Sequence, residues 1–164
     1  MTNYYTKDRP GPLERVISKL SVQTVALGSP GGGAPELTAS DMAAAVAGLR
    51  DEVGQLLPDV FAEEAQAVDR TVQLLDAWGW MQWRVRWPAK AITGALHGRL
   101  AEAVVADYQL GGKGYAVRDI CAHLQCSGAR FAQLAPQWDL LFGRLLEAES
   151  ALAAHLRRAL RPAA

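Results

Sequence analysis

Apolar residues recur every three or four positions along most of the chain, which is the spacing of amphipathic α-helices. Helix caps and prolines divide this pattern: Thr38 or Ser40 can cap a helix that ends before Pro58. The predicted helices, in chain order, span residues 13–27, 41–57, 59–83, 89–110 and 137–160. No segment reads convincingly as a strand. The sequence therefore predicts an all-α fold.

The first 36 residues differ from the rest in composition. Residues 1–12 contain two prolines and no periodicity, and GSPGGGAPE at 28–36 is rich in glycine. This glycine-rich stretch lacks the Lys-Ser/Thr pair of a phosphate-binding P-loop, so it predicts a flexible link. We expect an N-terminal arm and link at 1–36 and a compact helical domain at 37–164.

The stretch VRDICAHLQCSGARFAQLA at 117–135 has the spacing of two short helices joined by a turn. Its apolar period is interrupted at residues 125–127, where Ser127 is a good N-cap for the second helix. Pro136 is expected to end that helix within two turns. The apolar faces consist of Val117, Ile120 and Leu124, then Phe131 and Leu134. This pattern predicts either a DNA-reading helix-turn-helix at about 116–135 or a structural helical hairpin.

In a DNA-reading helix-turn-helix, the first residues of the second helix face the bases. Small side chains there permit close approach, and Arg and Gln carry donors suited to guanine and adenine. The candidate DNA-binding residues are Ser127, Gly128, Ala129, Arg130 and Gln133, together with Lys113 and Arg118.

Charge is divided unequally along a chain whose net charge is zero. Residues 1–77 hold six Lys and Arg against eleven Asp and Glu, a net of −5, and residues 78–164 have the reverse balance, +5. The basic half contains the candidate helix-turn-helix, as phosphate contact requires. So small a surplus predicts modest DNA affinity unless a second copy or a second protein assists.

Cys121 and Cys126 flank the predicted turn, with His123 between them. Zinc sites usually repeat such a pair, and no second pair exists, so we expect no metal. We expect Cys121 to be a packing residue and Cys126 to be a turn residue. Both should stay reduced in a cytoplasmic compartment.

Several function classes find no support in the sequence. The three histidines are scattered, and there is no nucleophile elbow, H-E-x-x-H motif or paired-carboxylate signature, so we expect neither an enzyme nor a cofactor. The polar start MTNYYTKDRPGP is not a signal peptide, and no apolar run could span a bilayer. These features predict a cytoplasmic protein without membrane contact.

Four tryptophans fall within WGWMQWRVRWP at 78–88. Interleaved with arginines, they could stack on bases or on a partner. Trp78 continues the apolar face of Val68, Val72 and Leu75, so we predict that Trp78, and with it Trp83, belongs to the core.

Several pieces of the chain, in order, resemble the bacteriophage Q antitermination family. That family has a tryptophan-containing helix, a DYxLG-type segment, a helix-turn-helix and a final helix carrying Ala-Glu. The opening YYTKDRPG and LTASDMAAAVAGL are also similar to the lambdoid phage Q start, whereas the cysteine-rich zinc insert of some members is absent. The matching pieces here are residues 77–79, 107–111, 117–135 and Ala148-Glu149.

The resemblance implies a phage late-gene regulator in the bacterial host. Such a protein binds double-stranded DNA beside the late promoter, engages paused host RNA polymerase and acts at the RNA exit channel to permit terminator read-through. Two alternatives remain: a small terminase subunit for DNA packaging, and a dimeric helix-turn-helix repressor whose 137–160 helix forms the dimer seam.

Overall fold

The computed structural model describes residues 12, 14–16, 18, 56, 65–86, 92–110 and 116–159. The predicted link at 28–36 and the predicted helix at 41–57 lie outside this part, apart from residue 56. The helices are α1 (Ala65–Arg86), α2 (Gly94–Leu110), α3 (Val117–Leu124) and α4 (Gly128–Ala159). No strand occurs within the described ranges, which confirms the all-α prediction for this part of the chain.

One apolar core lies where α1, α2 and α4 pack against one another, and α3 closes it against α2 and α4. Val16, whose backbone is helical, is fully buried in the same core. No helix in the described part is both long and apolar enough to cross a bilayer.

The buried face of α1 differs from the predicted one by a fraction of a turn. Its buried residues recur every four positions, at Thr71, Leu75, Gly79 and Trp83. Trp83 is only 4% exposed, as a core residue should be. Trp78 lies half-buried at the core edge, where the Arg144 guanidinium sits 4.7 Å from its ring centroid. Trp83, more than Trp78, is therefore the core tryptophan.

The helix α4 confirms the predicted apolar period of the last helix. This period places Trp138, Leu141, Leu145, Ala148, Leu152, Leu156 and Leu160 in the core; the first six are buried, and Leu160 lies outside the described residues. They form one continuous stripe because residues three and four apart share a helix face.

The prediction that Pro136 ends the second helix of the turn region is wrong. The helix continues through Pro136 to Ala159, a length of 32 residues. Proline removes one intrahelical hydrogen bond, at a cost of about 3 kcal/mol. Pro136 and Ala132, whose carbonyl loses that bond, are both exposed, so water can hydrate the carbonyl. Burial of Leu134 and Trp138 on the opposite side outweighs the cost.

The start of α2 also differs from the prediction of a helix from residue 89. Ile92 and Thr93 are not helical, and the Thr93 hydroxyl accepts a hydrogen bond of 3.1 Å from the Leu96 N–H. Thr93 is thus the N-cap, and α2 begins at Gly94. Residues 89–91 lie outside the described part.

A buried carboxylate joins α2 to α4. The Tyr108 hydroxyl donates a 2.8 Å hydrogen bond to Glu149, and Arg15 donates one of 2.9 Å to the same oxygen. The Arg15 guanidinium also lies 4.7 Å from the centroid of the Tyr108 ring. Burial, followed by the Glu149 charge, raises the pKa of Tyr108, so its hydroxyl stays a donor.

A second buried polar network joins α1, α2 and α4. The Gln137 amide donates to the Gly79 carbonyl at 2.8 Å and to His97 Nε2 at 2.9 Å. Because Nε2 must accept, the imidazole proton is on Nδ1, which donates to Asp76 at 2.6 Å. The network therefore fixes one tautomer of a fully buried histidine.

Gly79 supplies the close approach that this network needs. A Cβ at residue 79 would overlap Leu141 Cδ2 and lie 3.0 Å from His97 Cε1. We predict that Gly79→Ala lowers the free energy of unfolding by about 1–3 kcal/mol, because the buried Leu141 side chain must change rotamer or α1 and α4 must separate. Chemical denaturation of the variant and the parent measures the difference.

Gly143→Ala on α4 is the matched control, since a Cβ there meets nothing within 4 Å. It should raise stability by about 0.5–1 kcal/mol, as alanine does in an uncrowded helix interior. If Gly79→Ala also stabilises the protein, the close approach is not a constraint.

Tyr108→Phe should cost about 1.5–3 kcal/mol, because it removes a hydrogen bond to a buried charge without creating a cavity. Thermal and denaturant unfolding measure the loss. Ser150→Ala removes a hydroxyl from the exposed side of α4, where it donates to the Leu146 carbonyl, and should stay within about 0.5 kcal/mol of the parent. Equal effects of the two substitutions would contradict this role of Tyr108.

Candidate nucleic-acid interface

The turn between α3 and α4 is built from three residues, 125–127. Gln125 adopts the left-handed conformation, with φ 52° and ψ 45°. Its N–H donates to the Ala122 carbonyl at 3.2 Å, and the Cys126 N–H donates to the Cys121 carbonyl at 3.0 Å. These two bonds form a Schellman motif, which satisfies carbonyls at the end of α3 and reverses the chain.

Ser127 begins α4 as the sequence predicts. Its hydroxyl accepts a hydrogen bond of 3.1 Å from the Arg130 N–H, and its carbonyl accepts one of 2.9 Å from the Phe131 N–H. Ser127 is therefore the N-cap of the helix. Ile120 and Leu124 on α3 and Phe131 on α4 are buried, so core packing holds the turn from both sides.

The predicted DNA-contacting residues of α4 lie together on the surface of its first two turns. Ser127, Gly128, Ala129 and Gln133 are exposed, and Arg130 is half-exposed. Arg130 donates a 2.9 Å hydrogen bond to Gln133 Oε1, which orients the guanidinium and leaves the Gln133 NH₂ group as a donor. The first turn of α4 contains no Asp or Glu, so no negative side chain offsets its positive dipole end.

The other two predicted contacts have different surroundings. The Arg118 side chain is 91% exposed on α3 and lies 3.4 Å from the Asp119 carboxylate. Lys113 lies outside the described residues. The cysteines match the prediction of packing and turn residues: Cys121 in α3 and Cys126 in the turn pack against the core.

A cleft of about 130 Å³ lies between α2 and α3. Glu102 and Asp119 line it, and His123 lies 3.5 Å from Glu102. The two carboxylates make this cleft an unfavourable place for a phosphate group. Within the described residues, no three His, Cys, Asp or Glu side chains are placed to hold a metal ion.

The sequence did not identify the polar network around His97. In the sequence His97 is one of three scattered histidines. In the structure it is buried between Asp76 and Gln137. The sequence does contain one signal for a close contact between helices: Gly79 is a glycine inside a predicted helix, between two tryptophans. The network is structural: it holds the part of α4 that follows the exposed turns.

Comparison with protein-family models, with curated proteins and with solved structures finds no match for this chain.

Proposed function

We propose that the chain binds double-stranded DNA through the N-terminal turns of α4 and acts with host RNA polymerase as a phage late-gene antitermination factor. The observation that carries the DNA proposal is the exposed pair of Arg130 and Gln133 at a helix N-terminus without acidic side chains. Both side chains are suited to base edges in the major groove.

The antitermination step rests on the resemblance to the Q family. Tyr108 and Glu149, from two pieces that carry the resemblance, form a buried hydrogen bond of 2.8 Å. The separate pieces thus belong to one packed unit, which supports reading them together.

A protein partner accounts for two further features. The basic half has a surplus of only five charges, which favours weak DNA binding by the chain alone. In addition, α1 exposes apolar side chains that a partner surface could cover: Leu74, Met81 and Val85, which are 39%, 60% and 80% exposed.

The repressor alternative needs the last helix as a dimer seam. In α4 that apolar face, including Leu145, Leu152 and Leu156, is buried within the single chain. A dimer seam of this kind is therefore already occupied by the chain's own core, which makes the repressor the weaker proposal.

Arg130→Ala should weaken binding to specific DNA by about 1–3 kcal/mol while leaving the melting temperature unchanged. Arg158→Ala is the matched control, because Arg158 is exposed at the far end of the same helix. Titrations on specific and random duplexes measure both variants. Equal losses on the two duplexes would assign Arg130 to phosphate contact instead.

DNA affinity should be low on free duplex and much higher when polymerase is paused beside the site, since two linked contacts raise the effective concentration. Titrations on free duplex and on a promoter-proximal paused complex measure this difference. The salt slope on free duplex should be shallow, because each phosphate contact contributes only about 0.9 to it.

Transcription past an intrinsic terminator, on a template with the chain's own genomic neighbourhood, tests the antitermination step. Read-through should increase when the protein is added and should fall with Arg130→Ala. Equal affinity for free DNA and paused complex, without added read-through, would contradict the proposal.

A further inference from the structure

The two cysteines of the chain occupy the two positions that the Schellman motif brings together. In this motif the residue three positions before the end of the helix and the second residue after the helix share a backbone hydrogen bond and often a side-chain contact. Here these residues are Cys121 and Cys126, and the hydrogen bond between their backbones is 3.0 Å.

Both thiols are placed to react with each other. Each is half-buried, and the Cys121 thiol lies near enough to Cys126 to raise the pKa of the Cys126 thiol. A disulfide requires Cα atoms about 4.4–6.8 Å apart, and the backbone hydrogen bond between the same two residues keeps their Cα atoms close. Partial exposure gives a small reagent access to the pair.

We propose that Cys121 and Cys126 form a dithiol site that exchanges with a low-molecular-weight disulfide and closes into an intramolecular disulfide across the turn. One thiolate attacks the small disulfide, forms a mixed disulfide and releases one small thiol. The second thiolate attacks the protein sulfur of the mixed disulfide and releases the other small thiol. Two protein thiols are oxidised, the small disulfide is reduced, and the protein protons pass to the released thiolates.

The surroundings of Cys126 disfavour its thiolate. Burial, followed by the neighbouring Cys121 thiol, raises the pKa of Cys126, and Arg130 and Arg99 only partly oppose this rise. Because the thiolate is the nucleophile, this rise slows attack by the Cys126 sulfur near neutral pH.

The disulfide joins the last turn of α3 to the residue before the Ser127 cap of α4. It would hold the Gln125 turn closed and fix the direction in which α4 leaves α3. This site stands independently of the proposed DNA binding, since it depends only on the capping geometry.

The test is equilibration of the full-length protein in mixtures of reduced and oxidised glutathione, followed by acid quenching, alkylation and intact-mass measurement. The native protein should lose two hydrogens and carry no glutathione. Its equilibrium constant for disulfide formation should exceed that of the same chain in denaturant by about tenfold or more, which corresponds to about 1.4 kcal/mol of added stability for the oxidised protein.

Three variants test whether disulfide formation depends on the capping geometry or only on the short distance between the two cysteines along the chain. Cys121→Ser and Cys126→Ser should each end as a stable glutathione adduct, because no resolving thiol remains. Gln125→Val should lower the native equilibrium constant, since a β-branched residue disfavours the left-handed conformation that Gln125 adopts.

Gln125→Gly, which tolerates that conformation, should match the parent. If Gln125→Val folds poorly, the proposal is still tested by comparing the equilibrium constant for disulfide formation of the native parent with that of the denatured parent. A native protein that stops at the glutathione adduct, or whose equilibrium constant does not exceed that of the denatured chain, would overturn the proposal.

Discussion

The close approach of α1 to α4 at Gly79 is the constraint on which the described fold depends. With no Cβ at Gly79, the Gln137 amide reaches the Gly79 carbonyl at 2.8 Å while Leu141 packs against the same place. The amide then reaches His97 as well, so one contact fixes the positions of three helices. The Gln137 amide oxygen is buried without a partner among the described residues. The main effect of the network is therefore to fix one arrangement of the three helices. Its contribution to the net free energy of folding is smaller.

This anchoring gives the candidate interface its rigidity. Gln137 lies one turn beyond Gln133 on the same unbroken helix, so the exposed first turns are held by the buried ones. The Schellman turn and the Ser127 cap fix the other end. Side chains on such a supported helix are placed more accurately than side chains on a loop, which suits recognition of base edges.

Local chemistry was predictable from the sequence, and tertiary packing was not. The Ser127 cap and the buried stripe of α4 follow from capping preference and period, and the structure has both. Continuation through Pro136 depends on which side of the helix meets water, and propensity carries no such information. The same holds for the half-buried position of Trp78 at the core edge and for the His97 network, because both depend on how α1 rotates against α2 and α4.

Electrostatics restrict how DNA could meet this surface. The first turn of α4 carries no acidic side chain and the Arg130 guanidinium follows it, whereas the Glu102–Asp119 cleft lies between α2 and α3. If the chain binds DNA as proposed, a phosphate backbone is attracted to the first place and repelled by the carboxylates of the second, which favours an approach along α4. The apolar face of α4 is already buried in the core of the chain. A protein partner of the kind proposed would therefore meet the chain elsewhere, and α1 exposes the apolar side chains of Leu74, Met81 and Val85.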